Sequence, residues 1–164
     1  MKWNLGCGFD IKDGWLNTNH FSHVPVDGAV YLDALEDHQD MHNNFDYILI
    51  NHTLCVLSYE DAETLLKNAY KCLMVGGTIE VIEMDPVKSF KSYERGDIEA
   101  FPGFTGSIDK RFTHHLVGYG RKSLWTPELV IEVLERVGFI KANNYYKSEY
   151  DLRSKESLVV KATK

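Results

Sequence analysis

The sequence predicts an α/β domain built on a mostly parallel sheet with an antiparallel last strand. Three observations carry this expectation. Apolar runs of buried-strand length recur along the chain, as in Tyr47-Ile48-Leu49-Ile50. Segments of helical periodicity are interleaved with them, which implies a sheet covered by helices. A turn with two glycines, Gly6-Cys7-Gly8, directly follows the first strand-like segment. Paired glycines at the carboxyl end of a first strand let backbone pass close to a nucleotide-like ligand.

Strands are expected at Lys2–Leu5, Leu16–Asn19, Ala29–Leu32, Tyr47–Asn51, Thr78–Glu83, Ile140–Tyr146 and Ser157–Ala162. The last two alternate more and lie close together, as an antiparallel edge pair does. A helix is expected from Tyr59 to Leu73, with Ser58 and Asp61 at capping-box spacing. Ala62, Leu65, Leu66, Ala69, Tyr70 and Leu73 form its apolar face. A second helix starts at Thr126-Pro127-Glu128, where Thr suits the cap, Pro the first turn and Glu the positive helix end. Gly138 ends it. Only Gly6 to Trp15 join the first two strands, less than a helical crossover needs, so the first helix is expected to be shortened or missing. Residues 86–123 show no clean periodicity, and hold five glycines and six aromatics that include Phe90, Phe104 and Tyr119. A loop of that length reads as a lid or acceptor-binding insertion, or as a surface excursion packed on the sheet.

The chain of 164 residues fits one domain, 1–164, with one core. Its net charge of −6 has no basic tract to set against it, so no nucleic-acid partner is expected. No apolar run reaches bilayer length, so no membrane partner is expected. Cys7, Cys55 and Cys72 are isolated, which fits reduced thiols in a cytoplasmic setting. Cys7 reads as a small residue in a crowded corner. His20 and His23, His38 and His42, and His114-His115 have spacings that raise the question of a metal. No cysteine accompanies them, and a polar loop is the better account, so no metal is expected.

Further residues extend the pattern: Asn4-Leu5-Gly6-Cys7-Gly8, Gly14-Trp15-Leu16-Asn17-Thr18-Asn19, Asp33, Phe45-Asp46-Tyr47-Ile48, His52-Thr53-Leu54, Leu73-Met74-Val75-Gly76-Gly77-Thr78-Ile79 and Gly138-Phe139. This ordered set resembles the class I S-adenosylmethionine-dependent methyltransferases, and among them the small methyltransferases with a similar opening. The resemblance covers nearly the whole chain outside 86–123. It implies a Rossmann-like methyltransferase sheet, S-adenosyl-L-methionine as cofactor and methyl transfer to a small-molecule or saccharide acceptor. It implies cofactor contacts from Asn4, Gly6, Cys7 and Gly8 at the methionine part, and from Asn51 and His52 near the sulfonium. Asp33 would meet the adenine amino group, with Ala34 and Leu35 supplying backbone and an apolar wall. Asn19 stands where the family has an acidic ribose ligand, and His20 follows on the same rim. Phe9 follows Gly8, so the dinucleotide fingerprint is absent.

If the acceptor must lose a proton, a base is needed. His114 and His115 are candidates by their ordinary pKa near neutrality, and Glu83 and Asp85 by their place past the fifth strand. Asn19 and the missing helix leave a second reading open, a cofactor- or ligand-binding module with reduced catalysis. A bare sheet face would leave room for a homodimer.

Overall fold

The computed structural model describes residues 1–20, 26–151 and 156–164. The chain runs β1 (Lys2–Leu5), β2 (Leu16–Asn19), β3 (Val30–Tyr31), β4 (Phe45–Asn51), α1 (Tyr59–Cys72), β5 (Leu73–Met84), α2 (Pro86–Glu94), α3 (Ile108–Val117), α4 (Pro127–Val137), β6 (Ile140–Tyr145) and β7 (Ser157–Thr163). The seven strands align as β3-β2-β1-β4-β5-β7-β6. β1 pairs parallel with both β2 and β4, β4 pairs parallel with β5, and β7 runs antiparallel between β5 and β6. Strand order therefore reverses between β1 and β4, and open α/β sheets bind ligands at the carboxyl ends of such a pair.

The two faces of the sheet are built differently. Trp3, Leu5, Ile48, Ile50, Ile79, Val81, Leu158 and Val160 share one core with Leu65, Leu66 and Ala69 of α1 and Val130, Val133 and Leu134 of α4. Alternation along the strands sends the intervening residues to the other face. There Leu49, Ile82 and Val159 form a small cluster covered by Trp15, Tyr47 and Tyr150. Trp15, Tyr47 and Tyr150 meet edge to face, with ring centres 5.4–6.1 Å apart. No helix lies between β1 and β2.

Asparagines hold that helix-free link. Asn4 and Asn17 are register partners on neighbouring strands, and both are buried. Asn4 Nδ2 donates to Asp10 O at 2.7 Å and to Asn17 Oδ1 at 3.0 Å. Asn17 Oδ1 also accepts from Lys12 N, and its Nδ2 donates to Lys12 O and Trp15 O. The side chains thus satisfy backbone groups that a helix would have satisfied internally.

The expected helix over 59–73 is α1, with Asp61 N donating to Ser58 Oγ at 3.1 Å. α4 starts as expected, with Leu129 N donating to Thr126 Oγ1. Two expectations need correction. The fifth strand begins at Leu73, well before Thr78, because β5 runs on through Gly76-Gly77. Residues 86–123 are not one long loop: they hold α2, a 3₁₀ turn at Ile98–Ala100 and α3. Periodicity fails to mark α2 and α3 because their buried positions are Ser89, Ser92 and His115, not aliphatic residues. Their caps were visible: Asp85 Oδ1 accepts from Val87 N and Lys88 N, and Ser107 Oγ from Lys110 N. Aromatic contacts join the two helices, with Tyr93 stacked on Phe112 at 4.5 Å.

Candidate active site

The glycine turn closes β1 at the reversal of strand order. Gly6 and Gly8 both have left-handed backbone, with φ of 71° and 56°. A Cβ on Gly6 would sit 2.4 Å from Thr53 Oγ1, so the turn and the segment after β4 are packed together. Cys7 is buried, and its N–H donates to Thr18 O at 2.9 Å. Burial pushes its thiol pKa up, which makes it a poor thiolate.

Asn19 brackets this turn. Its Oδ1 accepts from Gly8 N at 2.7 Å and its Nδ2 donates to Gly8 O at 2.8 Å. Both ends of the amide are engaged by one residue's backbone, so the group expected at the ribose is committed to shaping the turn. A carboxylate there would accept from Gly8 N but oppose Gly8 O. Asn4 is likewise engaged within the fold and lies behind the turn.

Past β3, Asp33 Oδ1 accepts from Leu35 N at 3.0 Å and stands 3.6 Å from His20 Nδ1. His20 is mostly exposed, and its ring approaches Tyr31. Asp33 and His20 thus form a polar rim beside the turn. Ala34 and Leu35 pack against the main core, and Asn68 Nδ2 donates to Ala34 O.

Asn51 and His52 end β4. Asn51 Nδ2 donates to Tyr150 O at 3.2 Å, while its buried Oδ1 has no hydrogen-bond partner. His52 has φ 53°, a left-handed conformation that is costly for a side chain of this size. On the neighbouring strand, Glu83 is fully buried. Its Oε1 accepts from Leu54 N at 2.7 Å and Cys55 N at 3.3 Å. Its Oε2 has no hydrogen-bond partner and lies 3.9 Å from His52 Nδ1. Burial pushes the Glu83 carboxyl up to about 7, partly offset by the Cys55 thiol, by these backbone N–H groups and by Arg121.

The histidines of α3 are placed elsewhere. His115 is buried against Phe101 and Phe104, with Nε2 3.1 Å from Ser89 Oγ. Burial, reinforced by Arg121, lowers its pKa to about 4, so it is neutral at pH 7. It packs α3 against α2 through Ser89. His114 is exposed, beside Phe104. Asp85 serves as the cap of α2. His42 and Lys71 both pair with Asp37, and His38 Nε2 donates to Asp33 O. No three potential metal ligands converge among the described residues; His23 lies outside them. A groove of about 360 Å³ runs between α1 and α4, lined by Tyr59, Trp125 and Arg136 among others, and none of the site residues faces it.

Sequence reasoning gave no role to Asn17 or Thr53, which it had only as members of the ordered pattern, and it missed Tyr150 and Arg121. Only the recurrence of Asn at positions 4, 17 and 19 carried a signal, as polar residues on one face of two paired strands.

The chain has the fold of S-adenosylmethionine-dependent methyltransferases. It matches such an enzyme from Archaeoglobus fulgidus with a TM-score of 0.64, at 15% identity over 99% of this chain and 85% of that one. One from Thermotoga maritima gives 0.63 at 17% identity, over 99% and 81%. One from Mesorhizobium loti gives 0.59 at 18% identity, over 99% and 90%. No family model and no curated protein matches the sequence.

Proposed function

We propose that this protein transfers the methyl group of S-adenosylmethionine to a small-molecule or saccharide acceptor. The observation that carries this reading is the meeting of the left-handed Gly6–Gly8 turn with Asn51 and His52 at the reversal of strand order. Ligands of open α/β sheets bind at that place. Gly6, Cys7 and Gly8 offer backbone to the methionine part of the cofactor, with Asn4 behind them. Asp33 and His20 line the adenosine side, where Ala34 and Leu35 add an apolar wall, and Asn19 acts through the turn it braces. The buried Asn51 Oδ1 without a hydrogen-bond partner suits a polar or cationic ligand group.

When bound, the cofactor supplies an activated methyl carbon, and the protein's part is alignment and exclusion of water. Residues 86–123, as two packed helices next to the carboxyl end of β5, are suited to cover the acceptor. Exposed Phe90 and Tyr119 offer ring faces for a sugar or planar group. His114 is the lid histidine open to solvent; His115 contributes by packing.

Calorimetry with S-adenosylmethionine and S-adenosylhomocysteine tests the reading. Both should bind, and Asp33→Ala should weaken binding about tenfold or more, the worth of a hydrogen bond to a charged group. Absence of binding by the wild type would overturn the assignment. Binding without methyl transfer across a broad acceptor panel would favour the module with reduced catalysis.

A further inference from the structure

Arg121 is tied to the carboxyl end of the sheet by the residues that follow it. Lys122 N and Ser123 N both donate to Cys55 O, at 2.7 and 3.1 Å, and Ser123 Oγ donates to Leu54 O. Leu54 and Cys55 belong to the 3₁₀ turn just past β4, and Glu83 of β5 holds their amides. One edge of the guanidinium is used: Nη1 donates to His115 O and Gly118 O at the end of α3. The other edge is unused. Nε is buried with no hydrogen-bond partner, and Nη2 neither bonds to nor pairs with any of the described residues. Glu83 is near enough to feel the charge, yet it makes no ion pair with Arg121. An unsatisfied buried donor is costly. The Nε–Nη2 edge also presents the two parallel N–H groups that a carboxylate or phosphate accepts.

Tyr119 stands beside this edge-poor cation. Its ring centre lies 5.8 Å from Arg121 Cζ, and the residue is 72% exposed. Its φ of 59° is left-handed, costly for a side chain of this size, and Gly118 and Gly120 flank it. Charge agrees with this placement. Residues 86–123 hold seven lysines and arginines against four acids, in a chain whose net charge is −6. A positive segment on a negative molecule gathers anions.

We propose that Arg121 and Tyr119 recognise an anionic group, carboxylate or phosphate, on the methyl acceptor. The inference rests on the methyl-transfer reading above and narrows it: the acceptor is an acidic small molecule or an acidic saccharide. Arg121 is part-buried, so the anion reaches it from the exposed Tyr119 side, meeting Nη2 and then Nε as the ring shifts between its two glycines. The ring then packs on the body of the acceptor.

The test is a titration of the arginine Nε–H resonances of the full chain at constant ionic strength, with the Arg121 signal assigned through its own backbone. The probes are inorganic phosphate, D-glucuronate and, as a neutral control, D-glucose. At least one anion should shift the Arg121 signal to saturation, and glucose should leave it in place. Saturation by phosphate alone assigns a phosphorylated acceptor, and saturation by glucuronate alone a carboxylate one. An Arg121 signal unmoved by both anions overturns the proposal in the wild type, with no variant needed. Arg121→Lys keeps the charge and removes the two-bond edge, so calorimetry should show the anion bound about tenfold more weakly or worse. Equal affinity in a folded Arg121→Lys would also overturn it. Methylation of neutral acceptors in preference to their acidic counterparts would overturn the role in acceptor choice. Failure of the wild type to bind S-adenosylhomocysteine would sink the methyl-transfer reading separately, while a saturable Arg121 shift would still mark an anion site.

Discussion

Asn19 shows how one side chain can be set by geometry. An amide matches the N–H and C=O of Gly8 together, and no other small polar side chain does so. Asn19→Asp should therefore destabilise the protein by about 1–3 kcal/mol in urea unfolding, the range for an unsatisfied or opposed buried group. It should also weaken S-adenosylhomocysteine binding, although it restores the acidic residue of the related pattern. His115 makes a different prediction, about pH. Its folded-state pKa is depressed to about 4, against an ordinary 6.5. Its contribution is fully present above pH 6.5 and is lost as pH falls toward 4, because the unfolded chain binds the proton first. Stability should drop over that window by up to about 1.4 kcal/mol per pH unit for this one proton. Glu83 works in the opposite sense. Its raised pKa favours the folded state below pH 4.5, and that advantage is lost as pH rises toward 7. His115→Gln should flatten the acid limb of a denaturation-versus-pH curve, and Glu83→Gln should flatten the limb between pH 4.5 and 7.

Legibility in the sequence differed sharply between elements. α1 and α4 were readable because tertiary packing asks of them an aliphatic stripe, and their caps agree with it. α2 and α3 were not, because the side chains they bury are polar and find partners across the chain. Ser92 Oγ donates to Glu156 Oε1 at 2.9 Å, and Ser89 Oγ lies 3.1 Å from His115 Nε2. Such pairings have no periodicity to read. Near the candidate site, the glycine turn was legible as the close of β1 and Asp33 as a residue past β3. The commitment of Asn19 to Gly8 and the orientation of Glu83 toward His52 were not, since both depend on neighbours distant in sequence. A cap substitution tests residues 86–123 at this scale. Asp85→Ala removes both bonds to the first turn of α2 and should cost about 1–2 kcal/mol. Amide exchange in 86–123 should rise more than in α1.

The whole molecule is lopsided. One sheet face carries α1 and α4, and on the other a small cluster is covered by Tyr47 of β4 and by Trp15 and Tyr150 from two connecting segments. Trp15 meets both Tyr47 and Tyr150, and Lys2 Nζ lies 5.1 Å from its ring centre. Trp15→Ala should lower stability by about 2 kcal/mol through lost burial. It should also promote self-association by baring Leu49 and Ile82. Because one chain already covers that cluster, the wild type should sediment as a monomer, which analytical ultracentrifugation checks. None of the helices among the described residues is long and apolar enough to cross a membrane.

Replacing a helix by a few asparagine side chains has a thermodynamic consequence. A helix distributes its loss over many equivalent bonds and can fray from an end, whereas Asn17 serves three backbone groups at once and Asn4 ties that amide to Asp10 O. The opening stretch should consequently release as a unit under mild denaturant, ahead of the strands beneath α1, taking the Gly6–Gly8 turn with it while most of the barrier to global unfolding still stands.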